Sequence, residues 1–273
     1  MARTTLYTTP LRRRKRRRRM LRTFGVALLS LSLVVTLGVF LRHERLRIAS
    51  VTVVGNRGAH TETILALVAE HLGGSYGFLI PRRNMLLYPE DAIRSDLTTR
   101  LPRIARVNFL RDWAGRRLVI VVEERRPVAL WCAEAAESDA SCFFLDVRGF
   151  AFARAEEFGK ALIRYTGNLP PSPIRTQYLP PEKFVEVESF RARLAERGLM
   201  TVVVSHDKNG DVTLLLRSGA RLLFTDRSDL ARIFENLLAL ITGPEAVLRS
   251  DALLAGVSYV DFRFGNKVFY KLR

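Results

Sequence analysis

Between Thr23 and Leu41 the chain runs for nineteen residues, TFGVALLSLSLVVTLGVFL, without a charge, and an arginine stands at each end of the run. At about 1.5 Å of helical rise per residue, this length nearly matches a hydrocarbon core of ~30 Å. The polar members of the run do not break it. Ser30, Ser32 and Thr36 can bond carbonyls of their own helix, and Gly25 and Gly38 are tolerated in lipid. The segment reads as a transmembrane helix over 23–41. A cleaved signal peptide would have an apolar region of about 7–15 residues ending in small residues. This run ends Phe40-Leu41-Arg42, the mark of an uncleaved anchor.

Charge sets the orientation. The net charge is +17, and ten lysines and arginines (Arg3, Arg12–Arg14, Lys15, Arg16–Arg19, Arg22) stand in residues 1–22 with no acid, leaving +7 on the rest of the chain. A nucleic-acid-binding domain would spread its cations over a folded face; here they form a tail. Only Arg42, Arg45 and Arg47 follow the span closely, so the heavier flank is expected to stay in the cytoplasm. The tail at 1–22 is then cytoplasmic, either solvated or lying against anionic lipid. With 273 residues, 48% hydrophobic and 26% charged, the chain has room for two modest globular domains beyond the anchor.

The first of these is read over 46–124. Ile48–Val54 alternates as a strand does and stops at Gly55-Asn56-Arg57-Gly58. Thr61 then stands as a candidate cap before Ile64, Leu65, Leu67, Val68 and Leu72 at helical spacing, with Gly73-Gly74 as the stop. A short link, 75–83, leads to a second helix that begins at Pro89, carries Ile93, Leu97 and Leu101, and ends near Pro102. The strands Ile104–Leu110 and Arg117–Glu123 complete a β-α-α-β-β order, in which two helices can cover one face of a three-stranded sheet.

The second domain is read over 125–273. Pro127–Trp131 and Phe143–Leu145 are candidate hairpin arms around an acidic, alanine-rich stretch, and Cys132 and Cys142 flank that stretch. Cross-strand neighbours of this kind form a disulfide in an oxidising compartment; two small buried hydrophobes are the alternative. Asp146, before Arg148-Gly149, is expected to be a turn residue rather than a catalytic acid. Five prolines within 167–181 predict an extended connection. A helix follows over Glu182–Arg197, then short strands at Met200–Val204, Val212–Leu216 and Arg221–Phe224, an amphipathic helix over Asp226–Thr242, and two closing strands, Gly256–Phe264 and Lys267–Arg273.

These residues carry a resemblance. Val53-Val54-Gly55-Asn56 after a membrane span, Ile104-x-x-Val107 leading to Leu110-Arg111-Asp112-Trp113, and above all the strand Leu118–Glu123 running into Glu124-Arg-Arg-Pro-Val-Ala-Leu-Trp131 resemble the POTRA domain of FtsQ/DivIB-type bacterial division proteins. The hairpin around Asp146 and the closing run Val260-Asp-Phe-Arg-Phe264 are similar to that family's second, β-rich domain, with Phe264 where tyrosine is usual. The likeness covers about 23–273. It implies an α+β protein of one transmembrane helix, a POTRA-like domain and a β-rich domain ending in an edge strand. It further implies a bacterial inner-membrane, single-pass protein at the division septum that recruits small bitopic partners of the FtsB and FtsL kind.

No catalytic constellation emerges. His43, His60, His71 and His206 are dispersed, neither cysteine has a histidine nearby, and no glycine-rich phosphate loop is present. The chain is therefore expected to be no enzyme and to need no cofactor, metal, small-molecule substrate or specific nucleic acid. A chain-terminal strand at a sheet edge can accept a partner's strand, which makes Phe264, Lys267, Val268, Phe269 and Tyr270 the candidate binding residues. The plainer alternative is a last core strand protected by Lys267, Lys271 and Arg273. A POTRA-bearing chaperone or assembly factor for secreted or envelope proteins is the other functional expectation.

Overall fold

The computed structural model describes residues 10–77, 80–133, 142–155, 162–242, 248 and 254–273, with the backbone alone for 10–16. The first nine residues of the basic tail, Phe78 and Leu79 of the link, and most of the stretch between the cysteines lie outside these. The fold is mixed α+β, with five helices and a large sheet among the described residues.

Helix α1, Pro10–Leu41, extends well before the apolar run. Arginine is a good helix former, and Pro10 sits in the first turn where its missing N–H costs nothing. The stretch Arg17–Leu41 is long and apolar enough to cross a membrane. Within it the Ser30 hydroxyl donates to the Val26 carbonyl at 2.9 Å and Thr36 to Ser32 at 2.8 Å, so these polar side chains are satisfied inside the helix.

The chain divides into two compact units, one of residues 1–100 and 106–123, the other of 101–105 and 124–273. In the first, β1 (Ser50–Val54) is followed by α2 (Thr61–Leu72), a two-stranded ribbon of β2 (Ser75–Tyr76) and β3 (Ile80–Pro81), α3 (Glu90–Arg100), β4 (Ile104–Asp112) and β5 (Arg117–Glu124). The sheet order is β1-β5-β4, with β1 parallel to β5. Parallel neighbours need a crossover, and the α2–α3 pair supplies it. Ile64, Leu67, Val68 and Leu72 of α2 are buried with Ile93 and Leu97 of α3 and Leu118, Ile120 and Val122 of β5. Two local expectations change. Thr61 is the first helical residue rather than the cap, its hydroxyl accepting from the Asn56 side chain at 2.9 Å. Leu101 lies beyond the end of α3 and is only half-buried.

The second unit is one nine-stranded sheet with the order β14-β13-β12-β11-β10-β9-β6-β7-β8. Its strands are β6 (Ala129–Cys132), β7 (Cys142–Leu145), β8 (Ala151–Arg154), β9 (Ile163–Thr166), β10 (Thr201–His206), β11 (Asp211–Leu216), β12 (Arg221–Thr225), β13 (Val257–Phe264) and β14 (Lys267–Leu272). Besides β6–β9, two pairs along the sheet, β9–β10 and β12–β13, are parallel. Each is joined by a helical crossover, α4 (Pro181–Glu196) and α5 (Leu230–Thr242), and the two helices pack together against the sheet. Phe184, Val187, Phe190 and Leu194 from α4 and Leu230, Ile233, Phe234, Leu237 and Ile241 from α5 enter that core. Complete burial of a side chain the size of Phe184 contributes about 2–3 kcal/mol.

Three features of this unit depart from the sequence reading. Strand β9 is absent from it, although β9 lies between β6 and β10 and is parallel to both; four residues are too few to show a period. The proline-rich connection is no mere spacer. Tyr178 and Leu179 are buried, and the Tyr178 hydroxyl donates to the Thr166 carbonyl at 2.7 Å. Helix α5 starts at Leu230 rather than Asp226, because the Asp229 carboxylate accepts from the Arg232 N–H at 3.1 Å and fixes the N-terminus there.

Candidate partner-binding edge

The candidate site is the β13–β14 hairpin. Gly265, at φ +64°, and Asn266 form its two-residue turn, and such tight turns favour a residue tolerating positive φ. The Arg232 guanidinium donates to the Asn266 side chain at 2.7 Å, tying the turn to α5. Register pairs Val260 with Tyr270 and Asp261 with Phe269, while β13 carries extra residues on both sides of this stretch. Extra residues on one strand bend the pair and raise its twist.

The structure brings all five candidate residues into this one hairpin. Val268 and Tyr270 share the face of Val260, and Val268 packs on the helix-covered core. Lys267 and Phe269 point to the other face, where the Phe269 ring meets Phe264 edge-on with centroids 5.1 Å apart. Phe264 is 56% exposed, Phe269 49% and Tyr270 38%; Leu272, missed by the sequence reading, is 56% exposed. Both faces of β14 therefore offer apolar side chains to solvent.

The edges of the sheet differ. On the outer side of β8, the Ala151 N–H donates to the Thr176 carbonyl and the Ala151 carbonyl accepts from Arg175, with a further bridge from Phe150 to Gln177. The proline-rich segment thus covers the start of that edge, at Phe150 and Ala151. Strand β14 has only β13 beside it among the described residues. Its end is held from within, since the Arg273 N–H donates to the Gly256 carbonyl at 2.9 Å and its guanidinium to the Ser218 carbonyl at 2.8 Å.

An ionic cluster braces the hairpin near its turn. Arg263 reaches Asp261 at 2.7 Å and Asp211, on β11, at 2.5 Å. Burial would raise the Asp261 carboxyl, but the Arg263 side chain and N–H outweigh it and hold the pKa below the ordinary 3.8. The sequence shows Asp-x-Arg; only the strand order shows that Asp211 completes it.

Elsewhere, Cys132 and Cys142 stand opposite each other on β6 and β7 and are joined as a disulfide, S–S 1.97 Å. Asp146 is buried in the turn after β7, accepting from the Arg148 and Phe150 N–H groups and pairing with Arg125 at 2.5 Å. This is the turn role expected of it, and it gives Arg125 a local ion pair. Among the histidines, His71 meets Asp96 at 2.9 Å in the first unit and His206 lies 3.8 Å from Asp226 in the second.

No protein-family model matches this chain, and no curated protein matches it significantly. The site must be read from its own geometry.

Proposed function

We propose that the chain is a non-enzymatic, membrane-anchored scaffold of the bacterial division complex. In this reading α1 spans the inner membrane with the basic tail in the cytoplasm. The two folded units are extracytoplasmic, the first acting as the POTRA-like domain, and strand β14 recruits a small bitopic partner by β-augmentation. The observation that carries the binding mode is the outer edge of β14, which has no strand beside it among the described residues and is flanked by the exposed Phe264–Phe269 pair. An added strand would take its backbone hydrogen bonds from this edge and its specificity from side chains on the two faces. The division-complex assignment rests on the sequence resemblance.

The test is photo-crosslinking in the membrane-bound protein, with the probe at Phe264, Val268 or Tyr270 in turn. A small single-pass partner captured at these positions, and not at β8, is the expected result; capture only at other sites rejects the edge. A second reading, an assembly factor that holds client segments, is favoured by an apolar cavity of about 310 Å³ beside β1, lined by Val51, Leu65, Ala69, Leu72, Gly73 and Arg83. A probe at Ala69 that captures many exported proteins would select that reading.

A further inference from the structure

The end of α1 is tied to the first unit by contacts that place a distinct group of side chains beside it. The buried Asn84 side chain donates from Nδ2 to the Leu41 carbonyl at 2.6 Å, closing a C-terminal turn that has no partner within the helix. The other end of the same amide, Oδ1, accepts from the Leu86 N–H at 2.8 Å. Leu86 is therefore one amide group away from the last residue of the apolar helix. The Met85 N–H donates to the Leu46 carbonyl at 2.7 Å, and the Ile48 N–H to the Arg83 carbonyl at 3.1 Å, so two further bonds hold this loop against the chain leaving α1.

The β4–β5 hairpin tip reaches the same end. The Arg116 carbonyl accepts from the Ala49 N–H at 2.7 Å, and the Arg116 guanidinium donates to the Glu44 carbonyl at 3.2 Å. Trp113 sits on that tip. Leu86 is 48% exposed, Leu87 41% and Trp113 49%, although Met85 and Tyr88, on either side of the leucines, are buried. Arg45, Arg47 and Arg116 are exposed among them. Paired leucines, a tryptophan and several arginines at the end of a membrane helix match the chemistry of the lipid interface. Trp prefers the headgroup level, and arginines meet phosphate there.

We propose that this end of the first unit is a lipid-docking surface, in which Leu86, Leu87 and Trp113 enter the interface of the bilayer spanned by α1 while Arg45, Arg47 and Arg116 meet phospholipid phosphates. It rests on the reading of α1 as a membrane span. The surface holds the unit against the membrane in a fixed orientation instead of letting it swing from a flexible stalk, since the non-local cap on Leu41 leaves no free linker between helix and domain.

The test uses the full chain reconstituted into phosphatidylethanolamine and phosphatidylglycerol vesicles that contain lipid spin-labelled near the headgroup. Single cysteines carrying an environment-sensitive fluorophore replace Leu86, Leu87 or Trp113. Val39→Cys inside the helix is the membrane reference, and Glu62→Cys at the start of α2, beyond the far end of β1, is the water reference; the native cysteines stay blocked in their disulfide. Quenching at Leu86, Leu87 and Trp113 should be several-fold above that at Glu62 and approach that at Val39. Adding Arg45→Glu and Arg116→Glu should reduce it at all three sites without changing Val39. Quenching at the three sites equal to Glu62, with Val39 strongly quenched, overturns the docking surface and leaves the membrane span standing. An unquenched Val39 removes both.

Discussion

Gly55 shows how a single residue in a short motif acquires a reason. Its φ is +89°, and a Cβ there would meet the Val122 carbonyl oxygen at 2.3 Å, so the chain leaving β1 passes over β5 too closely for any side chain. Gly55→Ala is expected to destabilise the first unit by at least about 1–3 kcal/mol, the usual cost of forcing a side chain into such a backbone state; denaturant unfolding of the variant measures it. Asp146 makes a parallel case in the second unit. Its carboxylate is almost fully buried and depends on Arg125 together with two backbone N–H groups. Arg125→Ala leaves that charge unpaired. Because Arg125 is itself partly exposed, the cost is expected to be about 2–3 kcal/mol, below the full penalty for breaking a buried pair. Asp146→Asn with Arg125→Ala should recover part of it in a double-mutant cycle.

At the scale of the element, the closing hairpin is both a structural end and the proposed binding edge, and these roles make different demands. The Asp261–Arg263–Asp211 cluster braces β13 near the turn, leaving β14 to project apolar residues outward. The Asp261 carboxyl is held below its ordinary value, so it favours the folded state at any pH above about 3.8 and loses that contribution as pH falls through its lower, folded-state value. Stability of the native chain should therefore drop faster below pH ~4 than that of Asp261→Asn, measured as Tm against pH. The edge itself is tested by truncating an anchor. Phe269→Ala should weaken binding of a captured partner by about 2 kcal/mol, as expected for a central aromatic, with the melting temperature nearly unchanged because Phe269 is half exposed.

For the whole molecule, the disulfide links structure to compartment. Cys132 and Cys142 are separated by ten positions and are fully buried on the sheet face opposite α4 and α5. Closing a loop of that length contributes roughly 2–3 kcal/mol by restricting the unfolded chain, and such a bond persists in an oxidising compartment. If everything beyond α1 is exported, alkylation of the protein denatured directly from cells should leave both sulfurs unmodified until a reductant is added. Labelling without reductant would place the second unit in the cytoplasm and reject the proposed topology.

The sequence by itself determined the elements whose period or chemistry is local. The apolar helix, the helical faces of α2, α4 and α5, the β-α-α-β-β order, and the turns at Asp146 and Gly265-Asn266 all follow from spacing over a few residues. It also named Phe264, Lys267, Val268, Phe269 and Tyr270 as the candidate edge. Tertiary structure alone decided the rest. Strand β9 is too short to show a period, yet it is central because its neighbours pair with it from both sides. That the start of β8 has a neighbour on its outer side while β14 has none there among the described residues depends on where the proline-rich segment lies. Asp211 joins Arg263 across 52 positions, and Asn84 caps Leu41 across 43. Local pattern reports how a segment satisfies its own backbone and apolar face; which edge stays open, and which distant side chain closes a helix, is set by contacts that no short window contains.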